Sequence, residues 1–318
     1  MELFLSPFEG FETVDFEAYT EDKWSSNLYN RPRMKVRDKL NALGHHVHKE
    51  LTGAGHALSF ELNDFRPNVF NGRCVDAQWL FFNRPEDEKK KLFAVIDREK
   101  SIAENFSDPA HHKRHVMLGV RVHAEGLDVM LGLHRNAGVD VRNSVTRLED
   151  EWERERLAVL AQELAETPAG RLTLDLKGAP LAELSVAAVQ ARLKALAEGS
   201  ADWLTFGERY APTDARLLGE SFKHHLTELF AALMPLYRFV AWSSENDHIT
   251  LREALKTERE QQQKAEAGEV GPGSEVLITA GLFSGKRGVV QEVDRKGMVK
   301  VSLGKMVVQV KGKAIKPV

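Results

Sequence analysis

Between Ser274 and Val290 the chain reads SEVLITAGLFSGKRGVV, a short apolar alternation interrupted by three glycines within eight positions. Alternation at a period of two puts Val276 and Ile278 on one face of a strand. Gly281, Gly285 and Gly288 permit backbone angles and close approaches that a β-carbon would obstruct. Phe283 is placed to fold back over a very small core. The alternation resumes over Val289–Val293, turns at Asp294–Gly297, and continues through Met298–Leu303. It turns again at Gly304 and ends with Met306–Val310. Four or five short strands of this kind are enough to close a small barrel, so residues 273–318 are expected to form a separate SH3-like β-barrel.

Strand, glycine, aromatic residue, two further glycines and a second strand together resemble the KOW signature, here Gly281, Phe283, Gly285 and Gly288 followed by Val289 and Val290. Such modules occur in ribosomal proteins and in transcription elongation factors of the NusG type. The resemblance implies contact with RNA or a protein partner through the loop Ala280–Gly288, with Lys286 and Arg287 as its cations. With Arg295 and Lys296 these would grip phosphate by charge and counterion release. The alternative is that the glycines serve only the fold and the lysines keep a small domain soluble. Phe283 is the one aromatic residue in the segment, so stacking on several bases is not expected. A backbone or protein contact fits better.

The charge distribution supports this division of labour. The whole chain carries a net charge of −3, yet residues 273–318 hold nine basic residues against three acids, a net +6, leaving −9 on the rest. A basic module on an acidic body directs a polyanion to the module. With 318 residues there is room for two domains, one with a sizeable core. A mean hydropathy of −0.35 and the lack of a long apolar run argue against a membrane span. The first residues lack the basic and apolar regions of a signal peptide. A single cysteine, Cys74, excludes an internal disulfide and a metal site built on several thiolates. A cytoplasmic protein is expected.

Residues 1–250 read as an α+β body. Helical spacing covers Arg33–Leu51, with Met34, Leu40, Leu43, Val47 and Leu51 apolar. Ala77–Phe82 reads as a buried strand. Pro85–Asn105 opens with the proline and acids of a helix N-terminus. His115–His123 and Leu127–His134 suit a hairpin joined by Ala124-Glu125-Gly126. Val145–Glu166 reads as one charged helix, Gly170–Leu176 as a strand, Ser185–Glu198 as a helix and Trp203–Tyr210 as a strand. A long helix spans Asp214–Tyr237. Paired strands with no regular βαβ rhythm predict an antiparallel sheet with flanking helices. Residues 251–272 are charged and end in Gly268, Gly271, Pro272 and Gly273, which predicts an exposed helix fraying into a linker.

Three patches of the body resemble the YktB-like family of bacterial proteins of unknown function: Phe8–Phe16, the paired strands His115–Leu118 and Leu127–Leu133, and Trp203–Gly207 with the long helix ending in Leu233-Met-Pro-Leu-Tyr237. The resemblance implies an α+β fold and no assigned activity.

Chemical sites are sparse. Twelve histidines include the clusters His45/His46/His48, His111/His112/His115 and His224/His225. None has the spacing of a zinc site, so no metal and no cofactor is expected. Arg66, Arg73 and Asp76 lie in a polar segment beside the Ala77–Phe82 strand. They could line a groove for an anion, or form an ordinary turn with a salt bridge. Cys74 has no activating neighbour and is expected to be a buried, inert thiol. No nucleophile elbow, phosphate loop or dinucleotide fingerprint is present, and no catalytic residue is assigned. The leading expectation is a non-enzymatic adaptor that meets RNA, the ribosome or RNA polymerase through its basic module. The alternatives are an enzyme with a pocket in the body, and a protein–protein module without nucleic acid. Oligomeric state is not legible.

Overall fold

A computed structural model of the chain describes residues 7–68, 73–96, 110–253, 255, 271–294, 298–304 and 306–318. It divides into two compact units, Met1–His248 and Ile249–Val318.

The first unit begins with α1 (Thr13–Phe16) and three single 3-10 turns, then α2 (Asn30–Gly53). Strands β1 (Ser59–Leu62) and β2 (Ala77–Asn83) precede α3 (Glu86–Ile96). The hairpin β3 (Met117–His123) and β4 (Gly126–His134) leads to α4 (Gly138–Arg147) and α5 (Glu151–Ala165). After β5 (Thr173–Leu174) and α6 (Val186–Glu198) come β6 (Trp203–Tyr210) and α7 (Ser221–Val240). The six strands form one antiparallel sheet in the order β1-β2-β3-β4-β6-β5.

Alternation gives this sheet two different faces. Leu80, Phe82, Leu118, Val120, Val129, Leu131, Leu204 and Phe206 join the main core, where they meet α2 and α7. Helix α2 contributes Val36, Leu40, Leu43, Val47 and Leu51, all buried at helical spacing. Val36 takes the core position expected of Met34, which is largely exposed. Helix α2 lies close on the sheet because residue 44 is glycine; a β-carbon there would fall 2.7 Å from the Phe60 ring. The opposite face carries a separate small cluster of Ala77, Trp79, Phe81, Met117 and Met130, with Leu176 and Trp203 against it.

Three sequence expectations are corrected. Val145–Glu166 is not one helix: α4 ends at Arg147, and the Asp150 side chain accepts from Trp152 N to cap α5. Gly170–Leu176 is a 3-10 turn followed by a two-residue strand, because Asp175 (φ 54°) and Leu176 (φ 63°) turn left-handed. Asp214–Tyr237 is broken at Gly219 (φ 76°), and α7 starts at Ser221. The helix expected at Pro85–Asn105 is α3, and its last part lies outside the described residues. Most of the 251–272 segment also lies outside them; residues 248–253 are helical.

Buried ions hold the connections. Arg33 donates to the carbonyls of Ala18, Lys23 and Ser26 and so fixes the turns before α2. Asp140 on α4 accepts from Arg84, from Val116 N at 2.9 Å and from Trp242 N at 2.8 Å. After α7 the segment 241–248 is strapped to α4. Asn143 donates to Asn246 O and accepts from His248 N, both at 2.8 Å. Arg147 donates to Phe239 O and to Asn246 Oδ1.

The second unit contains β7 (Glu275–Ile278), β8 (Arg287–Val293), β9 (Met298–Leu303), β10 (Met306–Lys311) and β11 (Ile315–Pro317). They form an antiparallel sheet in the order β10-β9-β8-β7-β11, curled into a small SH3-like barrel. Its core is Val276, Ile278, Val290, Val299, Val301, Val308 and Ile315. The first-strand face expected from Val276 and Ile278 is the one that is buried.

Removing the Asp140 carboxylate strands Arg84, which is 1% exposed. Asp140→Ala is expected to lose about 3–5 kcal/mol, the usual cost of leaving one buried charge unpaired. All five tryptophans (Trp24, Trp79, Trp152, Trp203 and Trp242) lie before residue 249, so urea unfolding followed by tryptophan fluorescence reads this unit alone.

Candidate functional site

The β7–β8 loop of the barrel is built by backbone bonds. Gly285 N donates to Ile278 O at 2.7 Å, and Ile278 N donates to Lys286 O at 2.9 Å. Gly281 and Gly285 hold φ of 88° and 84°, a region costly for any residue with a β-carbon. Gly288 acts through space instead. A β-carbon there would lie 2.5 Å from Ser302 O and from Val301 Cγ1, so glycine lets β8 approach β9. Phe283 is half-buried against the barrel core, as its capping role requires. Lys286 and Arg287 are exposed at the end of the loop. Leu282, which sequence reasoning passed over, is 98% exposed at the loop tip. A lone leucine between a glycine and an aromatic residue carries no signal until the turn that displays it is known. Arg295 and Lys296 lie outside the described residues. Lys300 pairs with Glu292 at 2.6 Å.

The body's polar segment is a turn. Asn68 and Arg73 bridge through their backbones, and Arg73 Nη2 donates to Asp64 at 2.8 Å and to Arg66 O at 2.7 Å. The Arg66 guanidinium sits 5.0 Å from the Phe65 ring. Cys74 is exposed, which corrects the expectation of a buried thiol. Arg73 and Asp76 nevertheless line a cleft of about 770 Å³ that also includes His111, His112, Trp79 and Trp203. Arg66 is not among its lining residues.

This cleft lies over the sheet face opposite the main core. Register places Trp79, Arg121, Asp128 and Arg209 side by side on β2, β3, β4 and β6. Asp128 is fully buried and lies 2.6 Å from Arg209 Nε and 3.1 Å from His123 Nε2. Burial alone would raise its carboxyl, but His123 and Arg209 outweigh that and hold it below the usual range. Arg121 reaches Asp76 at 3.3 Å and stands 5.4 Å from the Trp79 ring. His112 stacks on Trp79 at 4.7 Å, and Trp203 lies nearly parallel to both.

Of the histidine clusters, His111 Nδ1 donates to the Glu61 carboxylate, 2.8 Å away, and His46 meets His224 edge to face. Among the described residues no group of three or more His, Cys, Asp or Glu is arranged to hold a metal ion.

Burial pushes His112 down to about 3, with Lys113 adding to it. Burial likewise lowers His115 to about 4, helped by Arg84, and His134 to about 4, helped by Lys113. In the unfolded chain these rings titrate near 6.5. Between pH 6.5 and about 4 the unfolded chain therefore binds more protons, and stability falls as pH drops through that window. The urea midpoint of the body is expected to decrease from pH 7 to about 4.5. His112→Phe, which keeps a ring on Trp79, is expected to flatten that slope.

Comparison with known proteins adds one finding and one absence. The family model described as the KOW motif matches residues 272–303. Its span covers β7, β8 and β9, and KOW motifs are typical of RNA- and ribosome-associated proteins. It leaves the body's resemblance to the YktB-like family without support. No curated protein matches the chain. No described helix is long and apolar enough to cross a membrane.

Proposed function

We propose that this chain is a non-enzymatic cytoplasmic adaptor that docks on RNA, the ribosome or the transcription machinery through its C-terminal barrel. The observation that carries the reading is the β7–β8 loop, which displays Lys286, Arg287 and the bare Leu282 side chain from a glycine-fixed turn. Two cations at one point suit a phosphate backbone, where affinity comes from counterion release and needs no base reading. Leu282 suits an apolar pocket on a protein of the same assembly. Phe283 supports this surface from beneath, since its ring is engaged with the barrel core. In the sequence, Arg295 and Lys296 bring two further positive charges to the basic module. The YktB-like likeness of the body rests on its three sequence patches and supplies no activity.

A second reading, an enzyme whose pocket lies in the body, is favoured by the cleft that gathers Arg73 and Asp76 with His111 and His112.

Co-sedimentation of the full chain with ribosomes, and filter binding to structured RNA, test the first reading across a salt series. Lys286→Glu with Arg287→Glu is expected to weaken binding and to lower the slope of log K against log salt by roughly 1.5, as the loss of two phosphate contacts requires. Leu282→Asp is expected to weaken ribosome binding more than binding to free RNA. If the unaltered chain ignores both ribosomes and RNA at low salt, the adaptor reading fails.

A further inference from the structure

The cleft over the second sheet face has features that neither a stable sheet nor an adaptor needs. Its floor is recessed because residues 119, 132 and 207 are glycines on adjacent strands, all on the cleft side. Met117 Cε lies where a β-carbon on Gly119 or Gly132 would be 3.3 Å away, and Leu176 Cδ2 where one on Gly207 would be 2.6 Å away. Large side chains thus lie flat on the sheet, and flat rings stand above them. Trp79 and His112 are almost fully buried, whereas Trp203 is half-buried and lines the cleft. Edge to face with Trp203, at 4.7 Å, sits His134.

Charge in the cleft is balanced except at one place. Each lining carboxylate has its own arginine: Asp64 with Arg73, Asp76 with Arg121, Asp175 with Arg192, and the deep Asp128 with Arg209. Lys113 also lines the cleft, and it makes no ion pair among the described residues. It lies close enough to His112 and His134 to disfavour a charge on either ring, beyond what burial does. The unmatched charge of the site is therefore one cation, beside a partly open aromatic surface and two neutral imidazoles. His112 Nδ1 is buried there without a hydrogen-bond partner.

The rim is strained. Asp175 and Leu176 occupy the left-handed region in succession. Non-glycine residues reach it only at a cost in backbone strain, and such residues gather at ligand sites. The strain is held by Asp175 N donating to Thr205 O at 2.7 Å and by the Asp175–Arg192 ion pair at 2.7 Å. Its effect is to set Leu176 over Gly207 and the Asp175–Arg192 pair at the cleft edge. A volume of about 770 Å³ lies within the range of small-molecule sites.

We propose that this cleft binds a small aromatic anion, with its flat ring against Trp203 and its carboxylate or phosphate on Lys113. A neutral ring would leave Lys113 unmatched, and a cation would meet carboxylates that are already paired. The inference rests on neither the adaptor reading nor the enzyme reading, and RNA binding by the barrel can fail while this holds.

The test uses the full chain, with calorimetry and tryptophan fluorescence, against adenosine 5′-monophosphate, uridine 5′-monophosphate, indole-3-acetate and nicotinate. Adenosine and nicotinamide serve as neutral counterparts, phosphate and acetate as anions without a ring. The nucleotide and carboxylate arms separate the two sources of the anion. At least one aromatic anion is expected to bind with Kd below about 1 mM and its neutral counterpart about tenfold more weakly. Trp203→Ala is expected to weaken that binding roughly fivefold to a hundredfold, the range of one lost ring stack. Lys113→Gln, at a half-exposed position that makes no ion pair among the described residues, is expected to weaken it about tenfold. Absence of binding by all four up to about 5 mM overturns the proposal. Binding that both substitutions leave unchanged, or that phosphate or acetate matches, overturns it as well.

Discussion

One carboxylate organises the body of this protein. Asp140 sits in the first turn of α4 and is almost fully buried. Its oxygens receive the Arg84 guanidinium from the end of β2, the Val116 amide from the entry to β3 and the Trp242 amide from the chain after α7. These segments are far apart in sequence, and no hydrophobic contact would fix their register so sharply. Charge-assisted bonds in a dry environment are directional and about twice as strong as neutral ones. Because β2 and β3 are neighbours, holding their ends also sets where Trp79 and Arg121 fall on the second face of the sheet. The cleft thus depends on a group that does not line it.

Sequence reading recovered what periodicity encodes. The hairpin from β3 to β4, the strands β2 and β6 and the helices α2 and α6 each carry their apolar residues at a fixed period, and each was legible. The barrel was clearer still, since three glycines and a capping phenylalanine leave few arrangements open. Failures came where a local cap or a backbone angle overrode the pattern. Leu148–Asp150 breaks a run that looks continuously helical, because an aspartate at the cap position stabilises a fresh start more than continuation. Asp175 and Leu176 read as strand residues and are instead held left-handed by bonds from Thr205 and Arg192, residues the local sequence does not contain. Strand β1, with four half-buried residues, was too short to announce itself.

The cleft was legible only in fragments. Arg73 and Asp76 could be suspected from their polarity beside a buried strand, and both line it, while Arg66 turns aside onto Phe65. Asp128, Lys113 and Trp203 could not be joined to them, because they come from β4, the loop before β3 and β6. What brings them together is strand order, which alternation alone does not specify. A charged residue within a strand of otherwise apolar residues was the one available hint: Asp128 stands in LDVMLGLH with no local partner, and a buried charge must find one.

The strap after α7 has a mechanical meaning. Asn246 is held on both sides, donating through Nδ2 to the carbonyls of Arg238, Phe239 and Ala241 while Arg147 and Asn143 grip its own oxygens. Tension arriving along the chain from residue 249 onward is divided at Asn246 between the last turn of α7, through the Arg238 and Phe239 carbonyls, and α4, through Arg147 and Asn143. A tether fastened to two helices at once has to break its bonds to both before either can be peeled away alone.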